Sequence, residues 1–451
     1  MLPIVTPEEM AAIDAAAPEA TEVLIERAGA AVAWAALRML GGAYGRTVNV
    51  ICGKGNNGAD GRVAAGHLAA KGVRVRVIEV PCPAVLPPAD LVIDAAYGTG
   101  FRGRWSPPDV GGTPVLAVDL PSGVDALTGD IAGAVLAATH TVTFGALKPG
   151  LLMPPGSVLS GELELADIGL DVGWARANLV LGADVAGWWP ERDEYSHKWR
   201  SAVRVIAGSS TMTGAPRLVS HAAMRTGAGM VHLSIPGMTL GDGPIEIVQR
   251  PLPSTGWADA ALASLDRFHS IVVGPGLGRS DDTAANVRRL VLEAPLPMVL
   301  DGDGLFALGW SSEGASTLLR RRANPTVLTP HDGEYTLLTG GPPGLDRLVA
   351  VRRLAADSGC TVLLKGAATI VADPGGEALV VTAGDARLAT AGTGDVLSGI
   401  IGALLAAGIK PLHAAAAAAW VHGHAGRRGV RHGLIASDLP DLIPAVLEEL
   451  L

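Results

Sequence analysis

The chain is expected to fold as α/β in two domains. Its 451 residues exceed one ordinary domain. Short apolar runs alternate with helical stretches in both halves. Two glycine-rich loops of different design each lead into a helix: Gly53-Lys54-Gly55-Asn56-Asn57-Gly58-Ala59-Asp60-Gly61 and Ala391-Gly392-Thr393-Gly394-Asp395. A helix N-terminus offers unpaired N–H groups and the positive end of the macrodipole, and glycine lets backbone approach a phosphate closely. Neither loop is a Walker A sequence, and together they suggest two nucleotide sites on two domains.

Thr6-Pro7-Glu8-Glu9 reads as a helix start, and residues 21–40 carry helical spacing through Leu24, Ile25, Ala28, Ala31, Val32 and Ala35. A strand over 48–52 feeds the first loop, a helix over 62–71 follows, and a strand over 73–80 completes a βαβ unit. Runs at 91–93, 115–118 and 141–144 each precede a cluster of Gly, Pro, Asp or Ser, so those loops should share the sheet edge at which α/β proteins bind ligands. The apolar pattern lapses at Trp188-Trp189-Pro190-Glu191-Arg192-Asp193-Glu194, which sets the expected domains at 1–190 and 191–451. Strands are expected near 203–207, 231–235, 271–273, 298–300, 327–328 and 362–364, with helices between them and at the end. The run 396–409 is apolar but too short to span a bilayer, and 414–419 reads as a close-packed alanine helix.

A net charge of −9 would repel a nucleic-acid backbone, so a small anion must be held by local donors. Hydrophobic residues make up 49 % and aromatics only 4 %, which leaves the core to Ala, Val and Leu. Cys52, Cys82 and Cys360 lack metal-type spacing and fit a reduced compartment. With no basic region followed by an apolar run at the N-terminus, a cytoplasmic location is expected. The expected partners are small molecules and at most further copies of the chain, with neither nucleic acid nor membrane.

Asn56, Asn57 and Asp60 follow one strand, Asp94 ends a second, and Asp119 and Ser122 bracket the end of a third. Brought to one edge, they would offer oxygens to a hard cation and keep a carboxylate for proton transfer. Gly98-Thr99-Gly100-Phe101-Arg102-Gly103-Arg104 adds a loop with two guanidiniums suited to phosphate. Against this, each Asp could simply cap a turn. In the second half, residues 391–394 would present N–H groups to a transferring phosphoryl group while Asp395 takes the proton of the attacking hydroxyl. The alternative makes Asp395 an ordinary acid at a helix start.

The first loop, with Asp94-Ala95-Ala96-Tyr97-Gly98-Thr99-Gly100, Asp119-Leu120-Pro121-Ser122-Gly123 and Thr143-Phe144-Gly145-Ala146-Leu147-Lys148-Pro149-Gly150, resembles the YjeF N-terminal family, the NAD(P)H-hydrate epimerases. The resemblance implies a Rossmann-like three-layer α/β/α domain that binds hydrated NAD(P)H and K+. By position, Asn57, Asp94 and Ser122 would hold the ion. Asn56, Asn57, Gly58, Ala59, Asp60, Gly98, Thr99, Gly100, Phe101, Arg102, Gly103, Arg104 and Asp119 would hold substrate, with Asp119 as acid/base. Ala59 replaces a usual glycine, which requires a negative φ and room beside the ligand. Lys148 reads equally as a phosphate contact or as a surface lysine near a turn.

Met212-Thr213-Gly214-Ala215, Arg225-Thr226-Gly227-Ala228-Gly229, Gly274-Pro275-Gly276-Leu277-Gly278, Asp301-Gly302-Asp303-Gly304-Leu305, Leu328-Thr329-Pro330-His331-Asp332-Gly333-Glu334 and Leu364-Lys365-Gly366-Ala367-Ala368-Thr369 occur in this order before the second loop. The set resembles the YjeF C-terminal family, nucleotide-dependent NAD(P)H-hydrate dehydratases of ribokinase-like fold. That resemblance implies a hydrated-nicotinamide site at Gly276, His331, Asp332, Gly333, Glu334, Tyr335, Thr336, Leu337 and Asp395. It also implies a nucleotide site at Lys365, Gly366, Ala367, Ala368, Thr369 and over 385–394, including Asp385, Ala391, Gly392, Thr393 and Gly394, with ADP or ATP and Mg2+. His197-Lys198 matches the family pattern, whereas Gly302, Gly304, Asp332 and Trp199 depart from it. His331 could instead bond a backbone carbonyl. The expected function is bifunctional repair of NADHX and NADPHX: epimerisation of the 6R and 6S forms and nucleotide-driven dehydration of the S form. Its rivals are a ribokinase-like kinase of a vitamin alcohol and a non-catalytic N-terminal binding module.

Overall fold

The computed structural model describes residues 1–191, 194–242, 245–309 and 311–451. The chain divides into two compact units, Leu2–Ala177 and Asn178–Leu451, the latter with Met1. In the first, strands pair in the order Arg74–Glu79, Thr47–Cys52, Leu91–Ala95, Val115–Val118, His140–Phe144, Glu162–Ala166. Every pairing is parallel. Leu91–Ala95 and Val115–Val118 are buried throughout, as the apolar runs 91–93 and 115–118 should be in a parallel sheet, and the first carries Asp94 into the interior with it. Because the strands run the same way, the loops after Cys52, Ala95, Val118 and Phe144 emerge at one edge.

Helices Thr21–Leu40 and Asn56–Ala70 share a core with one sheet face through Val32, Leu68, Val50, Ile93 and Leu116. A Cβ on Gly29 would lie 2.4 Å from Val63 Cγ1, so the two helices touch only because that position is bare. Ile51 and Val92 point to the opposite face, which Leu86, Trp105 and Leu136 cover. The first helix, Pro7–Ala16, starts where its sequence signature places it: Thr6 and Glu9 form a reciprocal capping box.

In the second unit the strand order is Ala378–Val381, Thr369–Ala372, Thr361–Leu364, Thr326–Leu328, Met298–Leu300, Ser270–Val273, Ala202–Ile206, Met230–Ser234, Val248–Gln249. From Thr361–Leu364 onward the pairings are parallel, and the first two strands form an antiparallel hairpin that the sequence pattern does not announce. Helix Thr393–Ala406 lies flush on its neighbours: a Cβ on Gly399 would be 2.2 Å from Val219 O, and one on Gly402 2.4 Å from Val272 Cγ2. Ala414, Ala415, Ala416, Ala417 and Ala418 in helix Pro411–Arg428 are fully buried. A chain poor in aromatics thus fills its core by close approach of small residues. Among the described residues no helix is long and apolar enough to cross a membrane.

The second unit begins at Asn178, earlier than the charged stretch at which the apolar pattern lapses. The reason is packing. In helix Gly182–Trp188, Val185 is fully buried in the second unit's core and Trp188 stacks on His413 with ring centroids 4.3 Å apart. Arg192 and Asp193 of the charged stretch lie outside the described residues.

Candidate active sites

The helix after the first glycine loop starts at Asn56, ahead of the 62–71 span its sequence suggests, with Gly55 at its N-cap and no side-chain cap. Asn56–Asp60 therefore form its opening turn, with their early N–H groups facing the sheet edge. Glycine is obligatory at two points here. A Cβ on Gly53 would lie 1.9 Å from Ala96 O, and one on Gly58 would lie 1.9 Å from Gly53 O.

A cavity of about 950 Å³ opens at this edge. It is lined by Asn56, Asn57, Asp60, Gly98, Thr99, Gly100, Phe101, Arg102 and Asp119, together with Asp14, Lys54 and Lys148. Gly58, Ala59, Gly103, Arg104, Asp94 and Ser122 do not line it. Arg102 folds back on its own loop, donating to Thr99 O and Phe101 O. Ala59 sits within the helix, where φ is negative, on the side away from the cavity; both conditions for replacing glycine there are met.

Asp119 is the one non-glycine residue with positive φ among the described residues, at +68°. Leu120 N–H closes on Val118 O at 2.9 Å, a three-residue turn about Asp119 that aims its carboxylate across the edge. The neighbouring strand ends likewise: Gly145 has φ +68° and Ala146 N–H closes on Phe144 O at 2.7 Å. These paired turns bring Lys148 Nζ to 2.6 Å from Asp119 Oδ1, with the lysine 1 % and the aspartate 13 % exposed. Lys148 is thus neither a surface residue nor free for phosphate, since Thr143 Oγ1 and Phe144 O take its other protons. In the same cavity, burial pushes Asp60 up to about 8; Asp119 and Asp14 add to this and Lys148 opposes it. Burial thus favours the protonated form of Asp60 far more than that of an exposed carboxyl.

Beneath the cavity, Asp94 is fully buried and accepts from Ser122 N–H at 2.9 Å, Ser122 Oγ at 2.7 Å and Ala96 N–H at 3.3 Å. Ser122 Oγ also accepts from Tyr97 N–H. Gly98 packs on Asn57, whose amide oxygen and nitrogen are both buried without a partner. Among the described residues Asn57 Oδ1 is thus a buried oxygen with no donor, the kind of group a cation takes up, whereas the Asp94 and Ser122 oxygens already accept from Ser122, Ala96 and Tyr97.

In the second unit Gly392, at φ +92°, is the N-cap of helix Thr393–Ala406 and supplies no side-chain cap. Asp395 occupies the first turn, where burial and the nearby Asp301 carboxylate raise it to about 7 against the pull of Lys365. Lys365 Nζ binds Asp301 Oδ1 at 2.9 Å and Glu334 Oε2 at 3.5 Å, and Ser398 Oγ donates to Asp301 Oδ2 at 2.8 Å. A Cβ on Gly394 would stand 3.5 Å from Lys365 Nζ, which places the loop, the lysine and Asp395 around one point. Gly276, at φ +66°, packs on Met212 and Ala215, so the turn 274–278 abuts the start of helix Gly214–Arg225.

His331 caps helix Asp332–Thr339: its Nδ1 accepts from Gly333 N–H at 3.0 Å and Glu334 N–H at 3.2 Å, while Glu334 accepts from His331 N–H. It therefore receives backbone amides rather than donating to a carbonyl from Nδ1, while its Nε2 stands 3.5 Å from Glu334 Oε1 and the side chain is 59 % exposed. Tyr335 turns into the core and donates to Ala350 O; Thr336 bonds back to Asp332 O; Leu337 packs on Gly309. Asp385 is engaged by Arg387, which also donates to Arg427 O and Gly429 O.

The family model for NAD(P)H-hydrate dehydratase matches residues 203–447, and that for the YjeF-related protein N-terminus matches 21–86 and 79–150. The bifunctional NAD(P)H-hydrate repair enzyme of Mycobacterium leprae is 39 % identical over 441 residues, covering 89 % of this chain and 88 % of the relative. That of Moorella thermoacetica is 34 % identical, covering 99 % and 97 %. The chain belongs to the bifunctional NAD(P)H-hydrate repair enzymes. Among solved structures, the ADP/ATP-dependent NAD(P)H-hydrate dehydratase of Bacillus subtilis, co-crystallised with ATP/Mg2+, matches 60 % of this chain and 98 % of its own at 31 % identity and TM-score 0.51. A ribokinase-like superfamily protein of Enterococcus faecalis matches at 21 % identity and TM-score 0.54, a likeness of fold alone.

Two of this repair enzyme's departures from its family have local reasons. Asp332 pairs with Arg347 at 2.9 Å, and Arg347 also donates to Lys365 O, so the carboxylate ties the helix start to the lysine loop. Trp199 lies under the Arg267 guanidinium, 3.8 Å from its ring centroid, and beside His232 and Phe268. Asp14 on the cavity, Lys148 as the partner of Asp119 and Asp301 as the anchor of Lys365 are the roles the sequence does not announce. Asp301 sits inside a quoted motif, but only the sheet shows that it anchors Lys365.

Proposed function

We propose that the first unit interconverts (6R)- and (6S)-NAD(P)HX and that the second dehydrates the S form using ADP or ATP. The carrying observation is one chain with two separately built acid sites: Asp119 on a cavity and Asp395 at an uncapped helix start beside Lys365. In the first, Asp119 takes the C6 hydroxyl proton as the C6–N1 bond opens to an aldehyde, and N1 receives a proton from Asp60. Closure on the other face of the carbonyl reverses both transfers and yields the other epimer. Asn57, Asp94 and Ser122 would hold K+, which supplies positive charge to fix the substrate's phosphates and the loop.

In the second, Asp395 takes the hydroxyl proton as the C6 oxygen attacks the terminal phosphoryl group, releasing AMP from ADP or ADP from ATP. Loss of phosphate from C6, driven by the N1 lone pair, and of a proton from C5 restores the dihydronicotinamide. The amides at 392–394 and Lys365 face the transferring group. Mg2+ would arrive on the nucleotide phosphates; among the described residues no three His, Cys, Asp or Glu side chains converge on a metal-sized point. A vitamin-alcohol kinase would stop at a stable phosphate ester. The test follows dihydronicotinamide absorbance from mixed NADHX epimers with K+, Mg2+ and ADP or ATP. Asp395→Ala should abolish recovery, and Asp119→Ala should slow its second phase. No recovery by folded wild type would reject the function.

A further inference from the structure

Resting on the epimerase reading of Asp119, we propose that Lys148 and Thr143 are positioning residues that leave Asp119 a single working oxygen, Oδ2. Lys148 Nζ has three protons, and its acceptors are Asp119 Oδ1 at 2.6 Å, Thr143 Oγ1 at 2.9 Å and Phe144 O at 3.2 Å. The ammonium has no proton left for substrate. Thr143 Oγ1 spends its own proton on Asp119 Oδ1 at 3.0 Å. Oδ1 is thereby held by two donors. Oδ2 has no protein partner among the described residues, and Asp119 lines the cavity.

A stability role does not account for this arrangement. Asp119 is held at φ +68°, a conformation that strains a non-glycine residue. A buried ion pair is often no more stabilising than apolar side chains of the same volume. Backbone strain joined to a saturated lysine makes sense where one carboxylate oxygen must be pinned and the other left bare. Register completes the clamp: parallel neighbours Val118 and Val142 pair, so Asp119, the first residue past its strand, stands beside Thr143, which is still within its own.

The experiment uses the full chain without nucleotide, so that dehydration is idle, and follows the approach of one NADHX epimer to equilibrium by chromatographic resolution of the two. Thr143→Val, isosteric at a fully buried strand position, should lower kcat about 10-fold, and Lys148→Met at least about 100-fold, each with KM within about 3-fold of wild type. Unchanged kcat in both variants, or losses confined to KM, would overturn the inference. Should Lys148→Met lose its thermal transition, Thr143→Val alone decides by the same criterion. A wild type that does not interconvert the epimers refutes the epimerase reading itself; an active wild type with unaffected variants refutes only the clamp.

Discussion

At the scale of single residues, Asp119 sets two energies against each other. Replacing it with glycine releases about 1–3 kcal/mol of backbone strain but strands the Lys148 ammonium in the interior, at a cost of about 3–5 kcal/mol. Asp119→Gly should therefore destabilise the first unit by roughly 2 kcal/mol, and Asp119→Gly/Lys148→Met should regain most of that, as urea unfolding would report. Asp395 carries a pH signature. Its value is raised to about 7, so the free protein must lose this proton before the acid can serve as a base, and the acid limb of kcat/KM for dehydration should fall near pH 7. Stability moves the opposite way. The native state binds this proton more tightly than the unfolded chain, so the contribution is complete below about pH 4 and lost as pH rises through about 7. Asp395→Asn should flatten the fall in melting temperature across that window. Both acids were legible in the sequence as candidates. Lys148 was legible only as a phosphate contact or a surface lysine; its grip on Asp119 was not, because the two lie 29 residues apart and only the pairing of two strands brings them together.

At the scale of elements, the first glycine loop separates packing from ligand approach. Gly58→Ala would drive a methyl to 1.9 Å from Gly53 O and should unfold or strongly destabilise the first unit. Gly55→Ala meets nothing within 4 Å, so its melting temperature should stay near wild type while KM for NADHX rises, because a methyl would project where a phosphate must come close. Thermal scans paired with epimer kinetics distinguish the two. The central strands were readable from their apolar runs alone. The start of helix Asn56–Ala70 was not, since Asn56, Asn57 and Gly58 are weak helix formers and the turn is fixed by contacts of Gly53 and Gly58 with the sheet. The hairpin Thr369–Ala372 and Ala378–Val381 escaped because no helix separates its two short apolar runs, so it lacks the strand–helix alternation that marks the other strands.

For the whole molecule, the boundary at Asn178 has a practical consequence. A fragment 178–451 retains Val185 and the Trp188 stack on His413, whereas 191–451 leaves that surface bare. The longer fragment should melt several degrees higher, by roughly 1.5–3 kcal/mol for one fully buried side chain and more with the stacked ring. The composition foretold a core of small side chains but not where it matters most. Asp395 rides on helix Thr393–Ala406, and Gly399 and Gly402 along that helix lie flush against Val219 and Val272. A side chain at either glycine would lift the rod that carries the acid off its bed. What the second site accepts can instead be altered at the exposed His331 that opens helix Asp332–Thr339, where a new side chain leaves the acid in place.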